Sequence, residues 1–197
     1  MIAGLVLAAG AGKRFGATKQ LADLDGKPLL EHGLAAMAGA QLDRLIVVLG
    51  SRADDVLAGV NLHGAEPVVC DRWGEGQAAS LACGLSSLEE ASKGDLEAVV
   101  VALGDQPGLA TAAVHRVLRA RGHMPSVRAT YGGEPGHPVA LERSLLTDLR
   151  DATGDAGARG LLCRAGATEV ACDDLGGGSD VDTPAELAAL RSEGRPT

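Results

Sequence analysis

Aromatic side chains are scarce: Phe15, Trp73 and Tyr131 are the only Phe, Tyr or Trp residues in a chain of 197. So few rings supply no row of stacking platforms, which excludes single-stranded nucleic-acid binding of the base-stacking type. Positive charge is lacking in sum. The formal net charge is −8, whereas proteins that track phosphate backbones are usually basic, so no nucleic-acid partner is expected. Long hydrophobic runs are missing as well. None approaches the ~20 residues that cross a bilayer, and the apolar start at residues 2–9 has no basic leader. These absences predict no membrane partner and a cytoplasmic location. Cys70, Cys83, Cys163 and Cys172 form no CxxC pair and lie in apolar surroundings, so buried free thiols are expected. No GxSxG nucleophile signature is present, and His32, His63, His115 and His123 show no metal-ligand spacing.

What remains is aliphatic and rich in glycine. Hydrophobic residues make up 46% of the chain, enough for one substantial core of Ala, Leu and Val. A length of 197 is too short for two comfortable domains, so a single domain over 1–197 is expected. Strand-like runs at 2–8, 45–49, 67–70, 98–103, 127–131, 138–141 and 169–171 alternate with helical patterns. The helices are expected at 28–38, 53–58, 79–91, 111–121, 145–149, 159–164 and 184–190. Pro28 and Pro184 suit a first helical turn, where a missing N–H costs nothing. Such alternation predicts an α/β sheet with helices on both faces. Ligands on these sheets bind beyond the carboxyl ends of the strands, where segments 8–16, 70–76 and 104–107 would meet. Residues 128–160 are less regular and richer in glycine, which reads as a substrate-binding insertion over the sheet.

The run Leu5-Val6-Leu7-Ala8-Ala9-Gly10-Ala11-Gly12-Lys13-Arg14-Phe15-Gly16 passes from a strand straight into a glycine-rich turn that carries cations. A backbone without Cβ atoms can approach a polyphosphate with its N–H groups pointing inward. Arg14, Lys19 and Lys27 can neutralise the charge, arginine as a planar fork and lysine as a point charge. Two familiar phosphate loops do not fit. A P-loop needs glycine at 7 and Ser or Thr at 14, where the chain has Leu7 and Arg14. A dinucleotide fingerprint needs glycine at 15, where it has Phe15. The plainer alternative is a tight strand-to-helix turn with solvated cations.

Two acidic turns follow. Strand residues 99–103 lead into Gly104-Asp105-Gln106-Pro107, and one Asp at the phosphate edge is chemically sufficient to recruit Mg2+. A turn-forming Asp is the alternative. In Ser179-Asp180-Val181-Asp182-Thr183-Pro184, Asp180 and Asp182 project to one side of an extended backbone. Either one completes a metal site, or Asp182 or Thr183 caps the helix that starts at Pro184.

From Leu5 to Pro28 the chain resembles the opening signature of nucleotidyltransferases with the nucleotide-diphospho-sugar transferase fold, (L)AAGxGxR(F/M)G…K…GKP. The resemblance implies a three-layer αβα, Rossmann-like sheet that is mixed but mostly parallel. It also implies that Leu7, Ala8, Ala9, Gly10, Ala11 and Gly12 cradle the nucleotide, with Lys27 nearby. Arg14 and Lys19 would hold phosphates, and Asp105 and Asp182 would hold Mg2+ as the cofactor. Trp73-Gly74-Glu75-Gly76-Gln77-Ala78-Ala79-Ser80-Leu81 is similar to a second nucleotide segment, implying contacts from Gly76 and Ser80. Gln77 stands there for the usual Met, and Ala78-Ala79 stand where Ser is frequent.

The Gly-Asp-Gln-Pro wording is similar to molybdenum cofactor cytidylyltransferases, whereas guanylyltransferase relatives usually carry Met at the position of Gln106. Gly136-His137-Pro138 and Gly154-Asp155-Ala156-Gly157-Ala158-Arg159-Gly160 resemble acceptor-side elements, implying acceptor contacts from His137 and Arg159. In the second acidic turn, Ala185 before Glu186 is a small departure from the family motif. The implied reaction transfers CMP from CTP to the phosphate of molybdopterin and releases pyrophosphate, with a molybdoenzyme as client. Rival readings are guanylyl transfer to molybdopterin, transfer to a sugar or alcohol phosphate, and a non-catalytic nucleotide-binding delivery protein.

Overall fold

The computed structural model describes residues 1–151 and 161–193. β1 (Ile2–Leu7) leads through the glycine-rich loop and a 3-10 turn at Lys19–Leu21 to a small hairpin of β2 (Asp23–Leu24) and β3 (Lys27–Pro28). α1 (Leu29–Gly39), β4 (Arg44–Leu49), α2 (Ala53–Gly59), β5 (Glu66–Val69), α3 (Gln77–Ser92), β6 (Ala98–Leu103) and α4 (Thr111–Arg119) follow. The chain continues with β7 (Ser126–Tyr131), β8 (Glu134–Glu142), α5 (Arg143–Asp151), β9 (Thr168–Ala171) and α6 (Pro184–Glu193). Residues 161–165 are also helical.

Seven strands form one sheet in the order β5-β4-β1-β6-β8-β7-β9. β5, β4, β1 and β6 run parallel, β8 runs antiparallel to both β6 and β7, and β9 is parallel to β7. The central strands are apolar throughout because both faces are covered. On β4, Val47 and Leu49 join a core with α1, α2 and α4, while Ile46 and Val48 join an opposite core with α3 and α5. That two-residue alternation is the strand period. The mostly parallel three-layer α/β reading therefore holds.

Three local expectations are corrected. Pro28 is extended (φ −54°, ψ 139°) and belongs to β3, so α1 begins one residue later, at Leu29. Pro184, by contrast, does open α6. Residues 128–151 are not laid over the sheet: β7 and β8 are strands of it, and α5 packs on the α3 side. The glycines that read as irregular are largely a hairpin turn, with Gly132 and Gly133 at φ 60° and 80°. Two successive positive φ values are what a two-residue hairpin requires.

The third correction concerns the cysteines. Cys70, just past β5, is joined to Cys83 of α3 in a disulfide, Cys163 is exposed, and only Cys172 is a buried free thiol. Spacing missed the pair because its partners lie 13 residues apart, on a strand end and on a helix packed against it. Closing a loop of this size stabilises a fold by about 3 kcal/mol. Cys83→Ser is therefore expected to lower the denaturant midpoint of the oxidised protein to that of the reduced wild type. Equal midpoints for oxidised wild type and variant would contradict the link.

Candidate active site

The register of the central strands positions the site. Leu7 at the end of β1 lies opposite Leu103 at the end of β6, so the glycine-rich loop and the first acidic turn leave the same sheet edge side by side. Gly104 N donates to Leu7 O at 2.9 Å and clips the two together. Gly12 has φ 61°, and a Cβ there would sit 2.7 Å from Ala17 O, so the turn demands glycine. At Gly10 the reason differs. A Cβ would meet no protein atom within 4 Å, and the open space beside it is a cavity. Gln20 holds this loop in shape, its buried amide donating to Ala8 O at 2.7 Å and Gly10 O at 2.9 Å.

The second acidic turn is brought in from the far end of the chain. Val181 and Leu187 pack with Leu24 and Leu29, with Phe15 and Ala22 beside them, and Val181 N donates to Asp105 O at 2.9 Å. Thr183 Oγ1 accepts from Glu186 N at 3.3 Å, while the Glu186 carboxylate accepts from the N–H groups of Thr183 and Asp182. Thr183 and Glu186 thus form a capping box, which fixes the turn that carries Asp182 and leaves the Asp182 side chain for the site.

Four charged groups converge there. Lys19 Nζ lies 2.8 Å from Asp105 Oδ2 and 3.1 Å from Asp182 Oδ1, and Arg14 lies 2.9 Å from Asp182 Oδ2. Lys19 is largely buried, but Arg14 is 74% exposed, so its pair adds little stability and is free to exchange for a ligand. Gln106 is buried and donates to Asp180 Oδ1 at 2.6 Å. Burial pushes the Asp180 carboxyl above the usual range, the Gln106 hydrogen bond opposes it, and the nearby Asp105 and Asp182 reinforce it.

Two adjoining cavities of about 240 and 500 Å3 open at this edge. Leu7, Gly10, Lys13, Arg14, Asp105 and Asp182 line both. Ala8, Gly12 and Lys19 line the smaller; Ala9, Ala11, Gly76, Ser80 and Trp73 line the larger. The sequence-derived cradle, clamps and acidic residues are thus assembled in one place. Lys27 is not among them: it is exposed on the β2–β3 hairpin and lines neither cavity. Gln106 lines neither, so its amide is spent on Asp180 rather than turned toward the open space. Two residues not singled out by pattern also lie here: Gln20, which holds the loop, and Lys13, which lines both cavities; the sole signal for Gln20 is its place beside Lys19.

A third cavity of about 380 Å3 lies alongside, sharing Leu7 and Gln77 with the larger one and lined also by His137, Val139 and Leu141. Burial holds the His137 imidazole down to about 4, and its carbonyl accepts from Tyr131 Oη at 3.0 Å. His137 is therefore a neutral hydrogen-bonding group at physiological pH. An NMR titration is expected to show no His137 inflection between pH 5.5 and 8; a midpoint near the ordinary value of about 6.5 would contradict this. Arg159 lies outside the described residues.

A divalent ion suits the donor set. Asp105 Oδ1 is buried and has no hydrogen-bond partner among the described residues. No group of three or more His, Cys, Asp or Glu forms a metal cluster among the described residues. One or two carboxylates completed by phosphate oxygens is the arrangement magnesium favours.

The sheet order defines a nucleotide-diphospho-sugar transferase fold, with the glycine-rich loop at the edge where the two cavities open. The chain belongs to the MobA-like NTP transferase family, whose domain description matches residues 4–169. Nicotine blue oxidoreductase of Paenarthrobacter nicotinovorans is 32% identical over 96% of this chain and 96% of its own length. The bifunctional protein GlmU of Cutibacterium acnes is 32% identical over 74% of this chain, which spans 34% of that protein. Among solved structures, Rv0371c of Mycobacterium tuberculosis H37Rv superposes with a TM-score of 0.83 at 31% identity, covering 97% of each chain. A complex of Rv0371C with manganese superposes with a TM-score of 0.78 at 30% identity, covering 98% of this chain and 99% of that one.

Proposed function

We propose that the protein transfers CMP from CTP to the phosphate of a molybdopterin-type acceptor, releasing pyrophosphate, with Mg2+ as cofactor. The observation that carries this is the meeting of Lys19, Asp105 and Asp182 at the mouth of the glycine-rich loop. Simple nucleotide binding does not require two carboxylates beside a phosphate-facing lysine. An acceptor phosphate oxygen attacks the α-phosphorus, a new P–O bond forms, and the bond to the β-phosphate oxygen breaks. The acceptor is already an anion, so the protein needs to align and neutralise rather than deprotonate. The loop backbone from Ala8 to Gly12 holds the triphosphate, and Arg14 and Lys19 offset the charge that gathers on the leaving pyrophosphate. Asp105 and Asp182 are the residues that would hold Mg2+, which neutralises phosphate charge when bound. Gly76 and Ser80 close the other side, and His137 meets the acceptor.

The test is pyrophosphate release with CTP, GTP, ATP and UTP in turn, without acceptor, with molybdopterin and with a sugar phosphate. Release confined to CTP plus molybdopterin is the expected result. Release with GTP moves the chain to guanylyl transfer, and release with a sugar phosphate acceptor replaces molybdopterin. One observation favours a second reading: a relative that matches along nearly its whole length is named an oxidoreductase. Under that reading the chain carries out a redox reaction, and no nucleoside triphosphate yields pyrophosphate.

A further inference from the structure

The acidic pair is already occupied from within. Of the four carboxylate oxygens of Asp105 and Asp182, Lys19 engages one on each residue, at 2.8 and 3.1 Å, and Arg14 engages the second oxygen of Asp182. That leaves Asp105 Oδ1, which is buried and unpartnered among the described residues. An ammonium and a divalent ion carry the same sign and repel each other when held by the same carboxylates. An ion held by Asp105 and Asp182 would therefore compete with Lys19 for them. Its side chain is only 13% exposed, and a buried cation separated from its partner is costly. The loop beside it offers the natural second partner, because Lys19 and the phosphate-cradling residues Ala8, Gly10 and Gly12 line one cavity.

We propose that Lys19 is an internal occupant of the divalent-cation position, released to a nucleotide phosphate when the metal enters. The inference rests on the reading of Asp105 and Asp182 as the metal ligands and adds a consequence to it. Without nucleotide the metal competes with Lys19 and binds weakly. With a triphosphate in the cradle, Lys19 gains a new anion and the carboxylates become free. Metal and nucleotide then favour each other's binding, and the coupling is reciprocal.

The experiment is titration of the nucleotide-free protein with Mn2+, following the free ion by electron paramagnetic resonance. Lys19→Met is expected to bind Mn2+ about tenfold tighter than wild type, within the range usual for coupled sites. Lys13→Met is the control, because it removes the same charge from the same cavity lining but has no ion pair with either carboxylate. Lys13→Met is expected to stay within about twofold of wild type, as a through-space charge effect in a solvated cleft is small. Lys19→Gln provides a second variant of different shape, and circular dichroism checks each fold. Unchanged or weaker Mn2+ binding in both Lys19 variants would overturn the proposal while leaving the metal site in place. Equal tightening in Lys13→Met and Lys19→Met would overturn it too, by reducing Lys19 to a bystander charge. No Mn2+ binding by any form, even with α,β-methylene-CTP added, would remove the metal site itself and the functional reading with it.

Discussion

Asp105→Ala is expected to reduce pyrophosphate release about a thousandfold while the protein still folds. Asp105 stands at the end of a central strand, and what anchors it there is backbone: Gly104 N to Leu7 O, and Val181 N to Asp105 O. Neither bond needs the side chain. The carboxylate itself is partly exposed and supports Lys19 from one side only. Its removal takes away the buried oxygen that has no hydrogen-bond partner among the described residues. Electrostatic groups aimed at developing charge in a dry site are each worth about 100- to 1,000-fold in rate, and Asp105 carries both a metal contact and a lysine contact. Steady-state pyrophosphate assay with circular dichroism on the same sample decides it. Turnover within a few-fold of wild type would show that Asp105 is a turn residue.

Lys19→Ala is expected to cost about a hundredfold or more in turnover, again with the fold retained, because one charge aimed at the leaving group is lost. The variant also leaves Asp105 and Asp182 facing each other without their shared cation. Metal binding is then expected to tighten while chemistry slows, and a general loss of structure cannot produce that split. Arg14→Ala should do less, since its pair with Asp182 is exposed and screened. A Lys19→Ala enzyme with normal turnover would remove Lys19 from the phosphate clamp and leave Arg14 to carry it.

The residues that meet around the two cavities could be picked out in the chain because they belong to local motifs at strand ends. Lys19 and Asp105 are 86 positions apart, and Lys19 and Asp182 are 163 apart, yet each lies where a strand or helix terminus delivers it to the same edge. Contacts without a motif were invisible. Gln20 acts by reaching back to two loop carbonyls, and no residue pattern announces such a bond. The Cys70–Cys83 link depends on how α3 lies on the sheet, which spacing along the chain does not encode. Lys27 looked equivalent to Lys19 because both follow the loop closely, but the β2–β3 hairpin turns it outward. Gln106 belongs to the motif that resembles the cytidylyltransferases, and in the fold its amide donates to Asp180, tying one acidic turn to the other.

Label transfer from radioactive CTP tests nucleotidyl transfer most directly. With molybdopterin and Mg2+ present, [α-32P]CTP is expected to pass its label to the acceptor, and [γ-32P]CTP to leave its label in pyrophosphate. Label reaching the acceptor from the γ-position, or from neither, would contradict nucleotidyl transfer at the Lys19, Asp105 and Asp182 site.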